Sequence, residues 1–129
     1  MKKYFIVIVD DDPDDCEILA TALKEGFDNM QLLTFTNPEL FLEYIKLTSD
    51  IPNIIVLDMY MPKLNGLEVI EKMKDDPVAN NIPIVILSSI TTISTLESVE
   101  NPNVIKSFVK PVSLIEYSVL ADKIVQTIQ

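Results

Sequence analysis

The chain has 129 residues, of which 48% are hydrophobic and 23% are charged; these proportions indicate one ordinary globular domain rather than a disordered segment. Twenty acidic residues against ten lysines, with no histidine and no arginine, give a net charge of −10. This charge argues against a nucleic-acid surface, because phosphate backbones need basic side chains. The single Cys16 excludes an internal disulfide and a metal site built from several cysteines.

The sequence shows no signal peptide at its start and no apolar run of about 18 residues that would span a membrane. We therefore expect a soluble, cytoplasmic protein. A single domain is expected to span residues 1–129, with no output domain. Neither a membrane nor a nucleic acid is expected as a partner.

Five short apolar runs rich in Ile and Val predict strands that are buried on both faces of a parallel sheet. These runs are residues 4–9, 30–35, 53–57, 82–87 and 104–109. Between them, the first helix is predicted to begin at Pro13 after an Asp12 cap and to end near Gly26. The other four helices are predicted over residues 39–47, 64–74, 91–99 and 112–128.

This alternation is a (βα)5 pattern, which predicts an α/β fold with a doubly wound parallel sheet. For five such units the flavodoxin-like strand order 2-1-3-4-5 is the default. In an open sheet of this kind, ligands bind beyond the carboxyl ends of the strands. The first and third strands would be neighbours, so the residues that follow them should share one pocket.

Acidic and small polar residues follow several of the predicted strands. The first, third, fourth and fifth strands are followed, in that order, by Asp10 to Asp12, Asp58, Ser88 and Ser89, and Lys110. Taken singly, these are ordinary helix caps, loop acids and a surface lysine. Together they would crowd three or four carboxylates, which is unfavourable unless a cation is present, and oxygen ligands suit Mg²⁺ or Mn²⁺.

Four segments at these strand ends carry a family resemblance. Residues 7–13, 56–66, 83–89 and 109–111 resemble the receiver domain of bacterial two-component response regulators, most of all the stand-alone, single-domain type. The spacing of 30 residues from Asp58 to Ser88 and of 22 from Ser88 to Lys110 also matches the family. The resemblance covers essentially the whole chain.

The resemblance implies a phosphoacceptor and a metal site. Asp58 would accept a phosphoryl group from a phospho-histidine on a sensor histidine kinase or a histidine phosphotransfer protein. Asp11, Asp58 and the backbone carbonyl of Tyr60 would bind Mg²⁺, with Mn²⁺ as an alternative, and Asp10 would contribute partly through water. Asp12 is a further candidate near the metal, because three consecutive acids leave the ligand pair open.

The resemblance also implies how the phosphoryl group is contacted and sensed. Lys110 and Ser88 would contact its oxygens, and the peptide bond from Lys110 to Pro111 would be cis, as is typical of the family. The family usually has an aromatic switch residue three positions before the lysine, where this chain has Ser107. We therefore expect the switch to use the Ser88 loop and Phe108 rather than a Ser107 rotamer.

The output face is predicted at the end of the chain. Residues 91–99 are rich in Ser and Thr, which predicts the least stable helix of the chain. An unidentified downstream protein would contact this helix together with residues 104–109 and 112–128. The apolar stripe that docks the closing helix on the sheet is predicted to be Leu114, Tyr117, Ala121, Ile124, Val125 and Ile128. Ile115 and Val119 lie off this stripe, which predicts a surface for a partner or for a homodimer.

Three other classes of protein fit the strand-end residues less well. An aspartyl-phosphate phosphatase usually carries a second Asp two residues after its nucleophile, where this chain has Tyr60. A receiver-like module that is never phosphorylated is disfavoured by the complete set of strand-end residues. A flavodoxin would need a phosphate loop after the first strand, where the acids of this chain repel phosphate. The sequence thus predicts a signalling phosphoacceptor that catalyses only its own phosphorylation and dephosphorylation.

Overall fold

The computed structural model describes residues 3–88 and 101–129, and strands and helices alternate over residues 3–88 as predicted. The strands are β1 (Tyr4–Val9), β2 (Met30–Phe35), β3 (Ile54–Asp58), β4 (Ile84–Ser88) and β5 (Val104–Val109). The helices are α1 (Pro13–Gly26), α2 (Pro38–Leu47), α3 (Gly66–Met73) and α4 (Leu114–Ile128), with a 3-10 turn at Ala79–Asn81. The helix predicted over residues 91–99 lies outside the described residues.

The five strands form one parallel sheet in the order β2-β1-β3-β4-β5. This order confirms the predicted flavodoxin-like arrangement. The inner strands β3 and β4 are buried over their whole length, and β1 is buried from Phe5 onward. The order places the carboxyl ends of β1, β3 and β4 side by side, so the residues that end these strands meet at one edge of the sheet.

Apolar side chains cover both faces of the sheet, and each face has its own core cluster. On one face, Phe41 of α2 and Val69 of α3 pack in a cluster with β1, β3 and β4. On the other face, Leu19 of α1 and Ile124 of α4 pack in a cluster against the same strands. None of the helices in residues 3–88 and 101–129 is long and apolar enough to cross a membrane.

Side-chain caps define where the helices begin. Asp12 accepts hydrogen bonds from the first turn of α1, and Asn37 does the same for α2. Asn65 and Glu68 form a capping box at the start of α3, and the Ser113 hydroxyl caps α4. Because Asn65 and Ser113 are caps, α3 and α4 each begin two residues later than the apolar pattern predicted.

The buried face of α4 differs from the predicted stripe at two positions. Leu120, which the stripe omitted, is only 4% exposed, because it lies within about 60° of Tyr117 around the helix. Leu114 was predicted to be buried, but it is 72% exposed. Helical side chains lean toward the N-terminus of their helix, so a residue of the first turn leans past the end of α4 and away from the core.

Ile115 and Val119 are 80% and 47% exposed, which confirms that they lie off the buried face of α4. We predict that replacing both with Ser changes the free energy of unfolding by no more than about 0.5 kcal/mol. The matched variant Ile124→Ser, at a fully buried position of the same helix, should cost about 3 kcal/mol or more, through the lost packing and the buried hydroxyl. Urea unfolding measures both effects. A double variant as unstable as Ile124→Ser would show that these two side chains belong to the core.

Candidate functional site

Three carboxylates meet at the carboxyl edge of the sheet. Asp10 directly follows β1 and Asp58 ends the neighbouring β3, and their residues are only 4% and 5% exposed. Asp11 is exposed beside them. One oxygen from each of these three side chains lies within 4.8 Å of the others. The structure therefore brings together three of the four acids that follow the strand ends, whereas Asp12 caps α1 and is not in this group.

Backbone N–H groups orient the two buried carboxylates. Oδ1 of Asp10 accepts a hydrogen bond from the N–H of Asp12 at 3.0 Å, and Oδ1 of Asp58 accepts one from the N–H of Tyr60 at 3.2 Å. The thiol of Cys16 donates to the backbone carbonyl of Asp10 at 3.3 Å. Each carboxylate thus has one oxygen held by its own loop, and its Oδ2 is directed toward other partners.

Close packing of the loop after β3 supports this arrangement. The N–H of Gly66 donates to the carbonyl of Met59 at 2.9 Å. A Cβ added at Gly66 would lie 2.9 Å from the Met59 Cα and 3.0 Å from the Asp58 carbonyl oxygen. Those atoms are backbone and cannot yield, so only glycine lets α3 begin this close to the end of β3.

The ammonium group of Lys110 lies among three carboxylates. Its Nζ is 2.8 Å from Oδ2 of Asp10, 2.9 Å from Oδ2 of Asp15 and 3.5 Å from Oδ2 of Asp58. Asp10 and Asp58 are expected near this lysine, whereas Asp15, in the first turn of α1, is a partner that was not predicted from the sequence. Its signal in the sequence is its place in that first turn, because side chains there lean back toward the strand ends.

The Lys110–Pro111 peptide bond is trans, as are all peptide bonds in the described residues. The expected cis bond is therefore wrong for this structure. The N–H of Lys110 donates to the carbonyl of Ser88 at 2.7 Å, which extends the pairing of β5 with β4 by one residue. This hydrogen bond brings Lys110 to the pocket without a cis bond.

Burial and mutual repulsion perturb the titration of the pocket. Burial, and then the charge of Asp10, raise the pKa of Asp58 to about 7, although Lys110 and the Tyr60 N–H act in the opposite direction. Burial by itself lowers the pKa of Lys110, but its bonds to Asp10 and Asp15 outweigh burial and raise that pKa above its ordinary value. The single positive charge of Lys110 thus does not fully compensate the negative charges of the carboxylates around it.

The donor set fits a hard divalent cation. Asp10, Asp11 and Asp58 offer only carboxylate oxygens, which are the ligands that Mg²⁺ and Mn²⁺ prefer. Tyr60, whose carbonyl was predicted as a further ligand, directly follows Met59 in the same loop and is half exposed. A cation at these oxygens would relieve the repulsion that raises the pKa of Asp58.

The remaining predicted residues lie on the neighbouring strands. Ser88 ends β4 and is 1% exposed at the same edge of the sheet as Asp58. On β5, Phe108 is partly buried against the cluster beneath α1 and α4, and the Nζ of Lys123 lies 5.9 Å from its ring centre. Ser107 is exposed. Of the two β5 candidates, Phe108 is therefore the one that packs against the core.

Comparisons with known proteins agree with this architecture. A family model described as the response regulator receiver domain matches residues 6–120. Protein RcaC of Microchaete diplosiphon is 30% identical over 125 residues, which make up 96% of this chain and 18% of that protein. The chain spans less than half the length of the curated relatives that it matches.

Solved structures share the fold over nearly the whole chain. The phosphorylated cyanobacterial phytochrome response regulator RcpA superposes with a TM-score of 0.85 at 24% identity, covering 98% of this chain and 94% of that one. The Mn²⁺-bound response regulator Rcp1 gives 0.78 at 24% identity, with 94% and 91% covered. With the family match extending from β1 into α4, the chain belongs to the response regulator receiver domains of two-component signalling.

Proposed function

We propose that Asp58 accepts a phosphoryl group from a phospho-histidine of a sensor histidine kinase or of a histidine phosphotransfer protein. The observation that supports this most strongly is the environment of the Asp58 carboxylate. It is buried at the edge of the sheet, shares the Lys110 ammonium with Asp10, and lies within 4.8 Å of an Asp11 oxygen. A carboxylate in this setting is a suitable nucleophile, with positive charge available beside it.

In the proposed reaction, an oxygen of Asp58 forms a bond to phosphorus while the bond from phosphorus to the histidine nitrogen of the partner breaks. The Tyr60 N–H holds Oδ1 of Asp58, and Oδ2 lies 3.5 Å from the Lys110 ammonium. Asp58 must be ionised to attack, and its pKa of about 7 leaves it partly protonated near neutral pH. Mg²⁺ or Mn²⁺, held by Asp10, Asp11, Asp58 and the Tyr60 carbonyl, would supply charge that favours the ionised carboxylate and offsets charge on the phosphoryl oxygens.

Lys110 and Ser88 would bind the oxygens of the transferred group. The Lys110 ammonium is already within 3.5 Å of Asp58 Oδ2, and Ser88 is buried at the end of the next strand. The hydrogen bond between the Lys110 N–H and the Ser88 carbonyl couples the two residues. A shift of either residue toward the phosphoryl group would therefore also move β5. We propose that β5, including Phe108, and α4 form part of the output face.

The protein in this proposal is a signalling component and catalyses only its own phosphorylation and dephosphorylation. Its downstream contact would use β5 and α4, where exposed apolar side chains gather. These are Ile105, Val109, Val112, Leu114, Ile115 and Val119. A homodimer through α4 stays a prediction, which sedimentation of the Ile115→Ser/Val119→Ser double variant tests directly.

Phosphorylation at Asp58 is tested by intact-mass measurement after incubation with acetyl phosphate and Mg²⁺. The wild type should gain the mass of one phosphate, and chelation of the metal should abolish the gain. Asp58→Asn should gain none, because the amide has no ionised oxygen to attack phosphorus. Asp75→Asn, a control that removes an aspartate outside the pocket, should label like the wild type. Labelling of Asp58→Asn at the wild-type rate would refute the assignment.

Metal binding is tested with Asp11→Ala, since Asp11 is exposed and its loss should leave the core intact. The affinity for Mg²⁺, measured by calorimetry, should fall at least about tenfold, because one of three clustered carboxylates is removed. Asp14→Ala removes the same charge from an exposed position in the first turn of α1 and should change the affinity far less. Equal affinities in the two variants would mean that Asp11 acts only through its charge.

A further inference from the structure

All three N–H donors of the Lys110 ammonium have a carboxylate within reach, and the three carboxylates are not equivalent. Asp10 and Asp58 belong to the group of acids that offers oxygens to a cation. Asp15, at 2.9 Å from Nζ, is not a member of that group among the described residues. Of the three carboxylates that contact Lys110, Asp15 is therefore the one that is not also a candidate ligand for the cation.

Asp15 is held firmly in its position. Oδ1 of Asp12 accepts hydrogen bonds from the N–H groups of Asp14 and Asp15, at 2.9 Å and 3.4 Å, which fixes the first turn of α1. Tyr117 of α4 is buried beside the Asp15 carboxylate. Burial, and then the charge of Asp15, raise the pKa of the Tyr117 hydroxyl to about 12. The Asp15 carboxylate is thus held between α1, α4 and the end of β5.

Lys110 contacts the oxygens of Asp10 and Asp58 that accept no backbone N–H in the contacts described above. Oδ1 of Asp10 and Oδ1 of Asp58 each accept a backbone N–H, and both Oδ2 atoms face the ammonium. When Asp10 and Asp58 turn their charge toward a divalent cation, their attraction for the ammonium weakens, and the cation repels it. Only Asp15 keeps its full attraction for Lys110 in that state.

We propose that Asp15 is a positioning residue that keeps the Lys110 ammonium at the pocket while Asp10 and Asp58 are engaged with a divalent cation. This inference rests on the proposed function, because it concerns the state in which Asp58 is ready for phosphorylation. Without Asp15, the lysine, which is already partly exposed, extends into water once a cation is bound. The neighbouring Asp14 has no ion pair in the described structure and supplies only the helix-terminal charge.

The test is the chemical accessibility of Lys110, which needs no phosphodonor. Lysines are acetylated with a trace of acetic anhydride, and labelling of Lys110 is compared with that of the exposed Lys24 by peptide mass spectrometry. Wild type, Asp15→Asn and the matched control Asp14→Asn are each measured without metal and at a Mg²⁺ concentration that saturates each protein. The two variants carry the same net charge and differ by one position in the same helical turn.

Lys110 should stay protected in all three proteins without metal, because Asp10 and Asp58 still hold it. With Mg²⁺ it should stay protected in the wild type and in Asp14→Asn. In Asp15→Asn, Mg²⁺ should raise its labelling about fivefold, which corresponds to about 1 kcal/mol. A labelling of Asp15→Asn that does not respond to Mg²⁺ would overturn the inference.

The wild type gives a second test that does not depend on the folding of any variant. If Mg²⁺ alone exposes Lys110 in the wild type, Asp15 does not hold the lysine and the inference is wrong. Failure of the proposed function would appear in a different measurement, as a wild type that gains no phosphate from acetyl phosphate. The two failures are therefore distinguishable.

Discussion

The pocket depends on one ammonium group shared by three carboxylates. Asp10 and Asp58 are almost fully buried, and two such charges placed side by side would be costly without a compensating cation. Lys110 supplies part of that compensation at 2.8 Å and 3.5 Å, while Asp15 completes its set of acceptors. Burial, and then the charge of Asp10, still raise the pKa of Asp58, and a divalent cation at the pocket would oppose both effects. The proposed phosphorylation of Asp58 and the stability of the folded protein therefore depend on the same charged groups.

The parallel sheet is what brings these charges together. Neighbouring parallel strands end at the same edge, so residues far apart in the chain become adjacent without any long loop. The short turns after β1 and β3 then fix each carboxylate through a backbone N–H, and Gly66 allows α3 to begin directly against the end of β3. The pairing of β5 with β4 continues to Lys110. Strand order thus brings the site together, and the short turns after β1 and β3 orient its carboxylates.

The sequence predicted most of the fold, because buried parallel strands are apolar runs that end abruptly at polar residues. Strand order also predicted that Asp10 and Asp58 lie side by side, because β1 and β3 are neighbours. The place of Lys110 beside them was expected from the family resemblance, since β4 separates β3 from β5. Asp15 was not predicted, because Asp14 and Asp15 are alike in sequence, and only the orientation of α1 on the sheet decides which of them faces the lysine. The exposure of Leu114 was missed for a related reason, since a helical stripe does not show where the helix leaves the core. Such details depend on tertiary packing.

The most direct test of this account is the pH dependence of the unfolding free energy of Lys110→Met and of the wild type, without divalent cations. Asp58 has a pKa of about 7 in the folded protein, against an ordinary value of 3.8 for the free side chain. The folded state therefore binds more protons, and stability falls as the pH rises between these values. Lys110 opposes that shift, so its loss should cost about 3 kcal/mol near pH 7.5 and markedly less near pH 5, where Asp58 is largely protonated. A difference that is absent, or that does not change with pH, would contradict the claim that Lys110 compensates the buried carboxylates.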